Sequence, residues 1–138
     1  MRDGLLFDAS SLLCLLKLRK LKPLNNNYIQ WLTIYEAANA LWKEASLIGS
    51  ISPEDAYEMI KILSDCVDVV KILSPHPYEY EILTTASKLK ITAYDASYVV
   101  LADKNNLVLV TEDSELREKA KSLIEAISVS DITRRRQA

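Results

Sequence analysis

Short apolar runs, each too brief for a buried helix and each followed by helical periodicity, constrain this chain more than any other feature. Gly4-Leu-Leu-Phe7 leads into Asp8, residues 67–73 are rich in β-branched side chains, 107–111 read Leu-Val-Leu-Val-Thr, and 127–130 close the series. Runs of this length bounded by turn residues read as buried strands. Helices are predicted over 11–21, 34–48, 53–66, 78–89, 95–104 and 113–126, with Ser10 capping the first. Pro23, Gly49 and Asn105-Asn106 stop three of them, and Ser52-Pro53-Glu54-Asp55 opens another. Residues 24–27 read as a turn, and Tyr28 opens a short apolar segment. This alternation predicts an α/β domain with a mainly parallel sheet covered on both faces. Ligands of such sheets bind beyond the carboxyl ends of the strands. Asp8 and Asp113 are placed there.

What the chain lacks narrows the chemistry. Its 138 residues suit one domain, taken as 1–133, with 134–138 as a basic tail. The only glycines, Gly4 and Gly49, are too far apart for a glycine-rich phosphate turn. The single histidine, His76, stands between two prolines, which closes paired-imidazole catalysis and HExxH zinc sites. No GxSxG-type elbow surrounds any serine. Cys14 and Cys66 lack CxxC spacing and read as buried free thiols of a reducing compartment. The aliphatic run 12–16 is broken by Lys17, far short of a membrane span, and no signal peptide precedes it. A cytoplasmic protein with no membrane partner is expected.

Seventeen Lys+Arg against nineteen Asp+Glu leave a formal charge of −2, so the chain as a whole does not advertise polyanion binding. Two groups of cations stand out: Lys17, Arg19, Lys20 and Lys22, and then Arg134, Arg135 and Arg136. Both are candidate contacts to nucleic-acid phosphates. Both also read as a solvated helix end and a frayed terminus, which need no partner.

Four acids stand where the local sequence would favour apolar or neutral residues. Asp8 ends the first strand, Glu36 opens an apolar helix, Asp95 interrupts Thr92-Ala-Tyr-Asp-Ala-Ser-Tyr-Val-Val-Leu-Ala, and Asp113 follows the 107–111 run. Acids in apolar surroundings are costly unless paired or bound to a cation. Taken singly, Asp95 and Asp113 are explained as helix caps, and Glu36 as a first-turn acid. Asp8 has no such account if Ser10 is the cap. Taken together, an all-oxygen set suits Mg²⁺ or Mn²⁺, which offsets mutual repulsion and lowers the pKa of a bound water. That chemistry hydrolyses phosphodiesters with neither histidine nor a glycine-rich loop.

The order Phe7-Asp8-Ala9-Ser10, Tyr35-Glu36-x-x-Asn39-x-Leu41, Tyr94-Asp95-Ala96-x-Tyr98-x-x-Leu101-Ala102 and Leu109-Val110-Thr111-x-Asp113-x-x-Leu116 resembles the PIN-domain family over nearly the whole chain. Within it, the length is most like the VapC toxins of VapBC toxin–antitoxin pairs. The resemblance implies a three-layer α/β/α sandwich and an endoribonuclease dependent on Mg²⁺ or Mn²⁺. It implies that Asp8, Glu36, Asp95 and Asp113 hold the metal and act in catalysis. It also gives supporting roles to Thr111, Asn39 and Ser10, and implies an RNA substrate, an antitoxin protein and a homodimer. Asn39 lies one helical turn from Glu36, where it either faces the same pocket or is a surface polar residue. Glu112 is read as solvent-facing, with a supporting role beside Asp113 as the alternative. Trp31, Trp42, Tyr57 and Met59 can line the partner surfaces, but are expected first as core residues.

Other readings stay open. One is a PIN nuclease of RNA processing or decay without an antitoxin. Another is a non-catalytic RNA- or protein-binding module whose acids serve structure. A receiver-like phosphoacceptor also uses strand-end aspartates, but wants paired acids after the first strand, where only Asp8 stands.

Overall fold

The two central strands account for the longest apolar continuity in the sequence. In the computed structural model, which describes residues 4–137 without the side chains of 133 and 135–137, β1 (Gly4–Phe7) and β4 (Leu107–Val110) pair in parallel from Gly4↔Leu107 to Phe7↔Val110. Side chains alternate across the sheet. Leu5, Phe7, Val108 and Val110 enter one core, while Leu6, Leu107 and Leu109 enter the other. Both faces are therefore covered, as unbroken apolar strands require. The sheet is completed by β2 (Tyr28–Gln30), β3 (Lys71–Leu73) and β5 (Ala126–Ile127), in the order β3-β2-β1-β4-β5. Every pairing is parallel.

The first face carries α1 (Ala9–Leu18), α2 (Trp31–Trp42), α3 (Pro53–Cys66) and α7 (Val129–Gln137). They are anchored by Leu12, Leu15, Leu16, Ala37, Leu63 and Ile132. The second carries α5 (Ala93–Lys104) and α6 (Ser114–Ala120), through Tyr98, Val99, Leu101, Leu116 and Ala120, with α4 (Glu79–Leu89) packed on α5. Each large apolar side chain buried this way contributes roughly 1.5–3 kcal/mol. The expected sandwich of helices about a parallel sheet is what forms.

The chain steps outward from β1 through β2 to β3, then returns to the opposite side of β1 as β4. This reversal opens a crevice at the carboxyl ends of β1 and β4. Asp8 and Asp113 follow those two ends.

Local differences from the sequence expectation have local causes. Asp8, not Ser10, caps α1, because its extended backbone lets the carboxylate accept Ser11 N while Ser10 already lies inside the first turn. The helix ends at Leu18, where Arg19 turns left-handed (φ 56°), and not at Leu21. The apolar segment at Tyr28 is a strand, and α2 begins at Trp31 through a Gln30/Thr33 capping box, earlier than the apolar spacing suggested. Its last turns, Lys43–Ile48, widen to π geometry and stop at Gly49 (φ 78°), where a side chain would be strained. Residues 67–70 do not join β3. Thr92, not Asp95, caps α5. The segment read as one helix over 113–126 ends at Ala120, and the last strand is only Ala126–Ile127. Beyond it, α7 was not foreseen, and residues 134–137 continue it as helix. Cys14 is half-buried and Cys66 buried, both free. No helix among the described residues is long and apolar enough to cross a membrane.

Candidate active site

Two of the four acids owe their place to helix capping. Asp8 is 6% exposed, and its Oδ1 accepts from Ser11 N (3.0 Å) and Ser10 Oγ (2.7 Å). Asp113 caps α6, its Oδ1 accepting from Glu115 N (3.0 Å) and Leu116 N (3.1 Å). A cap consumes one carboxylate oxygen. Among the described residues, no donor reaches the other oxygen of either residue.

Ser10 and Thr111 join the two loops. Ser10 Oγ donates to Asp8, lies 3.2 Å from Thr111 Oγ1 and accepts Glu112 N (3.0 Å). Thr111 is fully buried, and its Oγ1 accepts Asp113 N (3.2 Å). Ser11 Oγ donates to the Val110 carbonyl (2.7 Å), and Arg117 Nη1 to the Thr111 carbonyl (2.6 Å). The ends of β1 and β4 are thus held together by side chains where the backbone ladder stops.

Glu36 and Asp95 approach from the two helical layers. Glu36, half-buried in the second turn of α2, accepts the Tyr98 hydroxyl at Oε1 (2.8 Å). Asp95 lies in the first turn of α5, where its backbone N–H donates to Thr92 Oγ1 (3.1 Å). Thr92 is the cap, and the Asp95 side chain, three residues on in the first turn, hydrogen-bonds with Thr92. Burial raises the pKa of Asp95, the negative charges of Asp113 and Asp8 raise it further, and the hydrogen bond with Thr92 opposes them. Burial also raises that of Glu36, opposed by the Tyr98 hydrogen bond and reinforced by Asp95 and Asp8. Each acid therefore feels at least one of the others, and among the described residues none is ion-paired to a Lys or Arg.

Asp95 and Asp113 open into a cleft of about 380 Å³ whose lining also includes Lys90, Thr92, Leu116 and Lys119. No three His, Cys, Asp or Glu side chains among the described residues are gathered, as they stand, into a metal-holding group. The donor chemistry nonetheless suits a hard cation. Mg²⁺ commonly takes only one or two carboxylates and keeps the rest of its shell as water or phosphate oxygen. Asp8 and Asp113 each offer one uncommitted oxygen, and the repulsion in the cluster is what a cation would relieve.

The other candidates are distributed differently. Lys17, Arg19, Lys20 and Lys22 lie at or beyond the far end of α1, roughly 13 Å along the helix from Asp8. Lys17 pairs with Glu44 (2.7 Å) and Arg19 with Glu58 (2.9 Å). Arg134 lies 3.6 Å from Asp131, while the side chains of Arg135 and Arg136 are outside the described residues. Asn39 is exposed on α2. Glu112 is exposed as expected, and its carboxylate accepts Val129 N (2.7 Å) at the start of α7. Trp31, Trp42 and Tyr57 are not core residues, being 56%, 52% and 76% exposed, and Met59 is half-buried. Trp42 and Tyr57 border an apolar groove between α2 and α3 with Ala38, Leu41, Pro53 and Ile60. His76 pairs with exposed Glu79.

Lys90, Lys119 and the hydroxyl of Tyr98 were missed as site residues. The lysines belong to separate helical ends that only folding brings to one cleft. Tyr98 carried a signal: a phenol among Ala, Val and Leu must find a partner once buried.

No family model matches the sequence. Over 94 residues the chain is 44% identical to Exonuclease VapC9 of Pyrobaculum aerophilum, covering 68% of this chain and 67% of that protein. Over 93 residues it is 36% identical to Ribonuclease VapC3 of the same organism, covering 67% and 70%. The crystal structure of PAE2754 from Pyrobaculum aerophilum matches 98% of this chain and 97% of its own, with a TM-score of 0.79 and 37% identity. DNA-bound VapBC from Salmonella typhimurium shares the fold, with a TM-score of 0.67 at 16% identity, covering 93% and 98%. The parallel α/β/α sandwich is that of a PIN domain. The chain belongs to the VapC family of PIN-domain proteins.

Proposed function

We propose that this chain is a Mg²⁺- or Mn²⁺-dependent endoribonuclease, the toxin of a VapBC pair. One observation carries the proposal: carboxylates from four separate elements lie near one switch point, the charges of their neighbours raise the pKa of Glu36 and Asp95, and among the described residues no cationic side chain is paired to any of the four. Asp8, Glu36, Asp95 and Asp113 would hold the cation. When bound, such an ion supplies a water of low pKa and counter-charge for the phosphate. Ser10 and Thr111 hold the Asp8 and Asp113 loops in register. Lys90 and Lys119 stand on the cleft wall, Lys119 paired with Glu115 (2.9 Å) and donating to the Lys90 carbonyl (3.1 Å), and would meet the flanking phosphates of a strand laid across it.

The relatives' names divide between exonuclease and ribonuclease. Internal cleavage is the reading preferred here because Asp95 and Asp113 line an open surface cleft bordered by the exposed Glu115. A circular RNA decides the point. Its Mn²⁺-dependent linearisation, lost in Asp95→Asn, is expected; cleavage of linear RNA only would turn the reading to an exonuclease.

Family membership and the apolar groove between α2 and α3 support an antitoxin partner. Exposed Tyr80 and Leu83 on α4 support a homodimer. A cytoplasmic location, away from membranes, belongs to the same proposal.

A further inference from the structure

We infer that Tyr98 is a positioning residue for the Glu36 carboxylate, set by an ordered chain of hydrogen bonds that begins at the backbone of Gln30. The inference rests on the reading of Glu36 as a cation-facing acid.

Tyr98 is 1% exposed, on the α5 side of the sheet, and its ring reaches α2 on the other side. The hydroxyl donates to Glu36 Oε1 (2.8 Å) and lies 2.9 Å from Thr33 Oγ1. Thr33, fully buried, accepts the Gln30 backbone N–H (3.1 Å). An ionised carboxylate only accepts, so Tyr98 must spend its single proton on Glu36. Thr33 must then spend its proton on the Tyr98 oxygen. One proton order satisfies Gln30, Thr33, Tyr98 and Glu36 together.

A second link runs beside it. Gln30, itself 1% exposed, donates from Nε2 to Ser97 Oγ (2.8 Å), and Ser97 Oγ donates to the Tyr94 carbonyl (2.6 Å). The junction between β2 and α2 is thus clamped to the first turns of α5 on both sides of Asp95. The same atoms that orient Glu36 also hold its helix against the helix of Asp95.

Packing alone does not call for the hydroxyl. Tyr98 lies in the apolar cluster of Leu6, Val99, Leu101 and Leu109, where phenylalanine would fill the volume without a polar atom to satisfy. Glutamate, in contrast, needs orienting, because its long side chain leaves the carboxylate free to swing. With Oε1 held, Oε2 is left without a donor among the described residues. Partners that orient a ligand in this way are worth about 10–100-fold in metal affinity.

Mn²⁺ binding to the intact chain without RNA, read from the loss of the free-ion EPR signal, tests the inference. Glu36→Gln should weaken binding most, and Tyr98→Phe by about tenfold. Adding Tyr98→Phe to Glu36→Gln should cost nothing more, because Tyr98 acts through Glu36. Thr33→Val should reproduce part of the Tyr98→Phe loss and Thr33→Ser should restore it, which reaches the chain from its other end if Tyr98→Phe folds poorly. Unaltered affinity in Tyr98→Phe beside a weakened Glu36→Gln would overturn the positioning role alone. So would additive losses in the double variant. Unaltered affinity in Glu36→Gln would instead overturn the metal reading of Glu36, and the inference with it.

Discussion

Two charged groups of this molecule differ in sequence and differ in structure in the opposite sense. The cations Lys17, Arg19, Lys20 and Lys22 are neighbours in the chain, whereas the acids Asp8, Glu36, Asp95 and Asp113 are scattered along it. Folding leaves the cations at the far end of α1, where Lys17 and Arg19 are paired with Glu44 and Glu58 at the surface. It brings the acids to one crevice, where they repel and none is ion-paired among the described residues. Exposed pairs contribute little, about 0–1 kcal/mol, because water already solvates both partners. Carboxylates grouped without cationic partners among the described residues, with Asp8 buried and Glu36 and Asp95 half-buried, are costly, and so are informative about function. Proximity in sequence is a poor guide to a site; proximity at a strand end is a good one.

The comparison breaks first at the acids. Asp8→Asn and Asp95→Asn should each lower Mn²⁺-dependent RNA cleavage by about a hundredfold or more, exceeding the usual cost of losing an outer-shell partner. Asn caps helices as well as Asp, so Asp8→Asn should melt near the parent temperature, whereas Asp8→Ala should lose about 1 kcal/mol. Cleavage by either Asn variant at the parent rate would end the assignment of the site.

The next effect is on pH. Glu36 and Asp95 have folded pKa values raised above their ordinary 4.5 and 3.8, so the folded chain binds protons more tightly than the unfolded one. Their contribution to stability is therefore greatest at low pH and is lost as pH rises through the raised values. A cation needs the ionised forms, so Mn²⁺ should raise the melting temperature more at about pH 7 than at about pH 4. Melting curves in EDTA and in Mn²⁺ check this. An equal increment at both pH values would mean the cation binds elsewhere.

Smaller effects sharpen the contrast between cations. Replacing Lys90 and Lys119 together by Ala should weaken RNA binding by a few-fold and lower its salt dependence by roughly one to two phosphate contacts. Replacing Lys17 and Arg19 by Ala should leave cleavage unchanged and cost at most about 1 kcal/mol each. The reverse ranking, with the α1 lysines controlling the salt slope, would relocate the RNA path to that end of the molecule.

Much of the fold was legible because it depends on local pattern. Leu107–Val110 has no other stable place than the middle of a sheet, and Ser52 with Pro53 marks the start of α3. The failures cluster where one local signal competed with another. Both Asp8 and Ser10 can cap a helix, and only the backbone angles at the end of β1 decide that Asp8 does. Trp31, Trp42 and Tyr57 have the composition of a core, but they lie on faces of α2 and α3 that the sheet does not cover. The candidate acids stood out because a charge within an apolar motif is conspicuous in one dimension. Lys90, Lys119 and the hydroxyl of Tyr98 did not, since their significance lies in what they face.

By itself, the sequence determined the class of the fold and the kind of chemistry open to it. Apolar runs alternating with helices demand a buried parallel sheet, and scarce glycine and histidine leave oxygen ligands as the remaining resource. Tertiary structure alone decided the rest. The strand order puts β4 beside β1, and so Asp113 beside Asp8 across more than a hundred residues of chain. It carries the Tyr98 hydroxyl to Glu36. Coulombic and hydrogen-bonding terms act over a few ångströms of space, and position along the chain does not enter them.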